Sequence, residues 1–197
     1  KEKLFTPFRI AKYLPDWRAI RIYYWRLKKK NKTDQTILQA IADELASGGV
    51  ILQDSTKFCT EHIADKGIMT KALPTGEIQR DIDYGWGLAK NIAQTGIGQA
   101  IAVREKTVIA VEAIEGTEKM IERAGQFCKK GGWTLLKASK ADHDMRFDVP
   151  CVGMDTIRLI SENKGKCLVV EAGRTIIIDK PETIAIANEL GIIIVGL

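Results

Sequence analysis

Nineteen consecutive residues, KADHDMRFDVPCVGMDTIR at 140–158, hold four aspartates, one histidine, three basic residues and a proline. Carboxylates are hard oxygen donors suited to Mg2+, an ion that takes one or two of them and keeps several waters. Arg146 can grip two phosphate oxygens at once through its planar fork, while Lys137 and Lys140 add point charges able to neutralise a diphosphate. Asp144 and Asp148 are the candidate metal ligands. A metal-bound water beside a carboxylate base is one route to cleaving a phosphoric anhydride. The same alternation of acids and bases also makes surface ion pairs, each contributing about 0–1 kcal/mol. Residue types and spacing leave both readings standing.

Two further clusters combine a carboxylate with Gly, Thr or a cation: VEAIEGTE at 111–118, with Glu112, Glu115, Gly116 and Thr117, and VEAGRT at 170–175, with Glu171, Arg174 and Thr175. Both sit where a strand is expected to run into a loop, the part of an α/β fold where ligands collect. Gly116 and Thr117 open a helix whose first N–H groups favour phosphate. Ordinary capping by Thr117 explains the pair as well. His143, between two aspartates, reads first as a solvated loop histidine, and His62 lacks the matching pair of ligands that a zinc site needs. Cys151 has no evident histidine partner to make it a nucleophile. The chain contains neither GxxxxGK[ST] nor GxSxG. Its two G-x-G stretches, in DYGWGLA and TGIGQA, do not extend to the dinucleotide fingerprint, which disfavours ATP and NAD.

These clusters need a framework. WRAIRIYYWRL after Pro15 predicts a helix of about three turns, and TILQAIADELAS a second one behind Thr33 and Asp34. VILQ at 50–53 reads as a short strand. A long helix is expected over about 76–94, opened by Thr75, with Gly85 and Gly87 each costing about 1 kcal/mol relative to Ala and so pointing to a close neighbour. GQAIAVREKTVIAVEAI predicts a hairpin turning at Glu105-Lys106. EGTEKMIERAG predicts a helix from a Thr117 cap to a stop at Gly125. WTLLK is a strand, and MDTIRLISENK is a helix introduced by Gly153 and Asp155. CLVVEAGRTIIID reads as a second hairpin turning near Ala172-Gly173. PETIAIANEL is a helix from Pro181 to Gly191, and IIIVG is the last strand. The sum is an α/β fold: a mixed sheet of five or more strands with short helices, preceded by a helical remnant of an N-terminal α/β domain. The boundary is expected between about 53 and 75, giving a partial domain at 1–60 and a catalytic domain at 61–197.

Bulk composition narrows the field. The 197 residues are 45% hydrophobic, enough for a real core. The four cysteines are widely spaced, which predicts free thiols in a reducing compartment rather than disulfides or structural zinc. No apolar run approaches the roughly 20 residues of a membrane-spanning helix. The net charge of +5 is concentrated: residues 1–32 carry eleven Lys or Arg and two acids, with aromatics interleaved in RIYYWRLKKKNK. Such a stretch suits a solvated helix face, an anionic membrane or nucleic acid. The first residues, Lys-Glu-Lys rather than Met, suggest a longer protein upstream.

PDWRAIRI, DQTILQAIADELASGG, GIGQAIAVREKTVIAVEAIEGTEKMIERAG, KASKADHDMRFDVPCVGMDTI and VVEAGRTIIIDKPETIAIANELGI together resemble one family, the UDP-2,3-diacylglucosamine pyrophosphatases of the LpxI type in lipid A biosynthesis. VEAIEGTE, DMRFDVP and EAGRT are the most specific stretches. The resemblance covers nearly all of the chain, which begins in what corresponds to the end of the family's N-terminal domain. It implies an Mg2+-dependent hydrolase that splits UDP-2,3-diacylglucosamine into UMP and 2,3-diacylglucosamine 1-phosphate, with water attacking the α-phosphorus. By the same resemblance, Asp148 binds metal or activates water, Asp144 binds metal, and Arg146 and Lys137 stabilise charge on the phosphate oxygens. Glu112, Glu115, Gly116, Thr117, Glu171, Arg174 and Thr175 line the cleft. Cys151 stands where the resemblance leads one to expect a threonine after the proline. The resemblance also implies a homodimer in the cytoplasm of a Gram-negative-type bacterium, touching the inner membrane transiently. The basic N-terminal segment then serves a lipid surface, with no nucleic-acid partner.

Overall fold

The computed structural model describes residues 17–22, 34–141, 143–147 and 149–197, which divide into two compact units, Lys1–Asp54 and Ser55–Leu197. In the first, α1 (Trp17–Arg21) holds the start of the expected three-turn helix, whose remainder lies outside the described residues. Helix α2 (Asp34–Ser47) forms as its periodicity predicts. The guanidinium of Arg21 binds both carboxylate oxygens of Glu44, one from Nε at 3.2 Å and the other from Nη2. The strand expected at VILQ does not form: the backbone there is irregular, and Val50 and Ile51 are 54% and 74% exposed. An extended segment with no neighbouring ladder gains none of the pairing that makes it a strand.

The second unit begins with short 3-10 turns, Ser55–Phe58 and Thr60–His62, and a two-residue strand β1 (Gly67–Ile68). Helix α3 (Gly76–Thr95) is capped by Thr75, whose hydroxyl accepts from the Ile78 N–H, and is stopped by left-handed Gly96. Strands β2 (Ala100–Arg104) and β3 (Thr107–Val111) make the expected hairpin. Its turn residues Glu105 and Lys106 both adopt positive φ (50° and 55°), the backbone twist that a two-residue hairpin loop favours.

Helix α4 (Thr117–Phe127) corrects two expectations. Its cap is Gly116, with Thr117 already inside the helix. Gly125 does not stop it: a Cβ there would lie 2.6 Å from Asn163 Oδ1, so this glycine serves close packing. Strand β4 (Thr134–Lys137), a short β5 (Cys151–Val152) and α5 (Met154–Glu162) follow, then β6 (Cys167–Val170), β7 (Ile176–Ile177), α6 (Lys180–Leu190) and β8 (Ile193–Gly196). The hairpin expected at CLVVEAGRTIIID is absent. β6 takes parallel partners on both sides, β4 and β8, which leaves no edge for its successor, and β7 pairs instead with β5 in a separate two-stranded sheet.

The main sheet is mixed, as expected, with the order β1-β8-β6-β4-β2-β3. Alternation splits its side chains between two faces. Ala102, Leu135, Leu168, Val170 and Ile194 pack with α4, α5 and α6 through Met120, Ile121, Ile157, Ile160 and Ala187. On the other face Ile101, Val103, Leu136, Cys167, Val169, Ile193 and Val195 belong to the cluster that includes Ile78, Ile82, Ala89 and Ala93 of α3. Each fully buried Leu or Ile contributes about 1.5–3 kcal/mol. Gly85 lets α3 approach closely, since a Cβ there would meet Leu136 at 2.9 Å and Val103 at 3.0 Å. Gly87 has no such neighbour within 4 Å. Cys167, at 0% exposure, has its thiol pushed up to about 12 by burial.

Candidate functional site

Register brings the strand ends that lead into the three clusters to one edge of the sheet. Ala100 faces Lys137 and Lys137 faces Val170, Val170 faces Gly196, and Ile101 faces Val111. The carboxyl ends of β3, β4, β6 and β8 therefore lie along one line, and Glu112, Lys137 and Glu171 emerge side by side from them. This is the edge at which α/β sheets bind ligands.

On one side of the edge, polar groups form a directed chain. Lys137 donates from Nζ to Thr117 Oγ1 at 3.3 Å and to the Cys151 carbonyl at 3.2 Å. Thr117 in turn donates a hydrogen bond from its hydroxyl to Glu112 Oε1 at 2.9 Å. The other oxygen of Glu112 accepts from the Gln99 N–H at 3.1 Å. Gly98 makes this approach feasible: a Cβ there would lie 2.1 Å from the Glu112 carbonyl oxygen. Behind Thr117, α4 starts at Gly116 (φ 88°) with no side-chain cap, and nothing stands within 4 Å of where a Gly116 Cβ would be. Helix α5 also begins at a glycine, Gly153, with no side-chain cap. First-turn N–H groups have no partner inside their own helix, and with the helix dipole they favour an anion. Glu115 faces away from this chain. It pairs with Arg123, which also donates to the Val111 carbonyl at 2.7 Å. Its own N–H lowers its pKa, and Arg123 lowers it further against the opposing effect of burial.

At β6, Glu171 accepts from Ser139 twice on one oxygen, from the N–H at 3.0 Å and the hydroxyl at 2.5 Å. Its other oxygen lies 3.6 Å from Lys90 Nζ. Arg174 donates to the carbonyls of Ala141 at 3.1 Å and His143 at 3.3 Å. Thr175 is fully buried, and its hydroxyl finds no hydrogen-bond partner among the described residues.

Farther along the loop, Asp144 and Arg146 pair with each other. Nε donates to both carboxylate oxygens at 2.9 and 3.1 Å, and Nη2 donates to Oδ2 at 2.6 Å. The Arg146 N–H closes the turn on Oδ1 at 3.1 Å. Hydrogen bonding to the Arg146 guanidinium holds the Asp144 carboxyl below the ordinary aspartate range, against burial. The Met145 carbonyl accepts from the Ser55 N–H at 3.1 Å. Asp148 and Asp142 lie outside the described residues. Among the described residues no three His, Cys, Asp or Glu side chains form a group able to hold a metal ion.

Sequence reasoning missed four participants: Gln99, Ser139, Lys90 and Arg123. Ser139 stood in the quoted KASKAD stretch without a role. Lys90 sits four residues after Trp86 on α3, with its ammonium 5.3 Å from the indole ring, a helical spacing visible in the sequence.

The fold and site define a class, the mixed α/β domains with a Lys, two Glu side chains and helix starts without side-chain caps along one sheet edge. Within that class the chain belongs to the LpxI C-terminal domain family, whose profile matches residues 65–195. It is also similar to the UDP-2,3-diacylglucosamine pyrophosphatase LpxI of Caulobacter vibrioides, at 29% identity over 191 residues, covering 93% of this chain and 68% of the relative.

Proposed function

We propose that the protein hydrolyses the pyrophosphate bond of UDP-2,3-diacylglucosamine in lipid A biosynthesis, releasing UMP and 2,3-diacylglucosamine 1-phosphate, with Mg2+ as cofactor. The observation that carries this reading is Lys137: its ammonium is held by Thr117 and the Cys151 carbonyl beside the uncapped start of α4. A fixed cation next to free helix N–H groups is complementary to a phosphate, and it stabilises charge that grows on the phosphate oxygens during attack. The similarity to a pyrophosphatase supplies the substrate class.

In this reading water attacks the α-phosphorus. Asp148 is assigned to metal binding or water activation and Asp144 to metal binding. The donors fit magnesium in kind: Asp144 stays ionised because of Arg146, and Mg2+ completes its shell with water and substrate oxygens rather than a closed protein cage. When bound, the ion would draw charge from the phosphate oxygens. Arg146, freed from Asp144, would grip two of those oxygens. Glu112, Gly116 and Thr117 shape the phosphate side of the cleft, with Glu115 and Thr175 at its margins. No helix among the described residues is long and apolar enough to cross a membrane. Transient contact with the cytoplasmic face of the inner membrane, through the cations of residues 1–32, and a homodimeric state complete the proposal.

Incubation of the protein with UDP-2,3-diacylglucosamine, with and without Mg2+, should release UMP only when the ion is present. Asp148→Ala should lower hydrolysis by at least about 10³-fold. A variant that alters only ligand affinity would point instead to a non-catalytic nucleotide- or phosphosugar-binding module. The engagement of every described cleft carboxylate in internal hydrogen bonds favours that second reading.

A further inference from the structure

We propose that the Glu171–Arg174 turn is a clamp on the main chain of the acidic loop, so that Glu171 and Arg174 are positioning residues that do not touch substrate. The two ends of the turn hold the loop with opposite charges. The Glu171 carboxylate takes both the N–H and the hydroxyl of Ser139, where the loop leaves β4. The Arg174 guanidinium takes the carbonyls of Ala141 and His143, immediately before Asp144. Between them, Gly173 adopts φ 74° and donates its N–H to the Ala64 carbonyl at 3.0 Å, while the Arg174 N–H closes on the Glu171 carbonyl at 3.3 Å.

Burial says which way these side chains work. Glu171 is 8% exposed and Ser139 is 4% exposed, so the oxygen that Ser139 shares is turned into the protein. A buried carboxylate needs compensating charge and donors. Here Ser139 supplies two donors, and Lys90 supplies the charge from α3, on the opposite side of the sheet from α4, α5 and α6. Helix α3 also reaches the loop through Gln94, whose Oε1 accepts from the Ala141 N–H at 3.2 Å. The stem of the loop is thus held by three side chains, Gln94 from α3 and Glu171 and Arg174 from the turn after β6, with Lys90 acting through Glu171. The loop carries Asp144, Arg146 and Asp148, and a displacement of about 1 Å in reacting groups can cost about 10²-fold in rate.

The kinetic part of this inference rests on the proposed hydrolysis; the structural part does not. Arg174→Ala and Glu171→Ala should each lower kcat by about 10²-fold while KM moves by less than about threefold, the pattern of a misplaced reacting group rather than a lost substrate contact. Arg174→Lys, which keeps the charge but loses the planar fork that reaches both carbonyls, should recover part of that loss. Independently of turnover, hydrogen exchange of the amides at 138–147 should speed up by at least about tenfold in both variants while β4 and β6 keep their protection. A rise in KM at unchanged kcat would overturn the proposal by making these residues substrate contacts. Unchanged exchange at 138–147 would overturn it by removing the clamp. If the wild-type chain releases no UMP, the hydrolytic reading fails, and the exchange measurement still decides whether the clamp exists.

Discussion

Asp81 and Glu171 are two buried acids near opposite ends of the same sheet, and both accept main-chain N–H groups. Asp81, 1% exposed on α3, takes the amides of Glu105 and Lys106 at 3.1 and 2.7 Å and so fastens the β2–β3 turn. Glu171 takes Ser139 in the same manner, but what it fastens is a loop rich in charge, and Lys90 stands by to balance it. The first carboxylate completes a local motif already specified by two positive-φ residues. The second holds together pieces of chain drawn from α3, β4 and β6. One chemical device fastens a hairpin turn at one end and, in the proposed reading, the loop that positions the reacting groups at the other.

Substitutions can break that contrast. The largest effect is expected at the reactive end: Lys137→Met should lower UMP release by about 10²–10³-fold, as removal of a preorganised charge does, while the thermal midpoint barely moves. At the quiet end, Asp81→Ala should destabilise the protein by about 2–3 kcal/mol, because two turn amides lose their acceptor, with turnover per folded molecule unchanged. Chemical denaturation beside the activity assay separates the two outcomes, and a loss of turnover in Asp81→Ala would erase the distinction. Smaller effects sharpen the role of α3. Gly85→Ala should cost about 1–3 kcal/mol through overpacking against Leu136 and Val103, whereas Gly87→Ala should stabilise by up to about 1 kcal/mol, since it meets nothing. The smallest effect concerns acid. With its pKa depressed by Arg146, Asp144 contributes stability that is fully present above the ordinary aspartate pKa and is lost only as pH falls through the lower, folded value. Asp144→Asn should therefore flatten the acid limb of the stability curve below the usual carboxylate range. The change should stay within about 1 kcal/mol, since solvent still screens this half-buried pair.

Much of this was legible in the sequence where local rules and tertiary need coincide. The Glu105-Lys106 hairpin, the α3 cap at Thr75 and the Pro181–Gly191 helix each carry their own punctuation, and the structure keeps them. The second hairpin failed because the apolar run CLVV reads alike in an antiparallel ribbon and in a central parallel strand; only the partners β4 and β8, far away in sequence, decide. VILQ failed for the converse reason, being apolar enough for a strand but without a neighbour. In the site, the three clusters were visible as residue types, while their internal pairings were not. That Glu171 turns to Ser139 and Lys90, and that Glu112 accepts from Thr117, depends on a register that no spacing rule encodes.

The thiol of Cys167 carries one more consequence. Sealed in the middle of the sheet and kept protonated far above neutral pH, it cannot meet an alkylating reagent while β6 stays paired, whereas Cys151 lies open at the surface. Cys59 and Cys128 are half-buried, so under a mild excess of iodoacetamide the slow last label, on Cys167, counts openings of the whole sheet. The protein carries an internal clock for its own unfolding, readable by mass without any engineered probe.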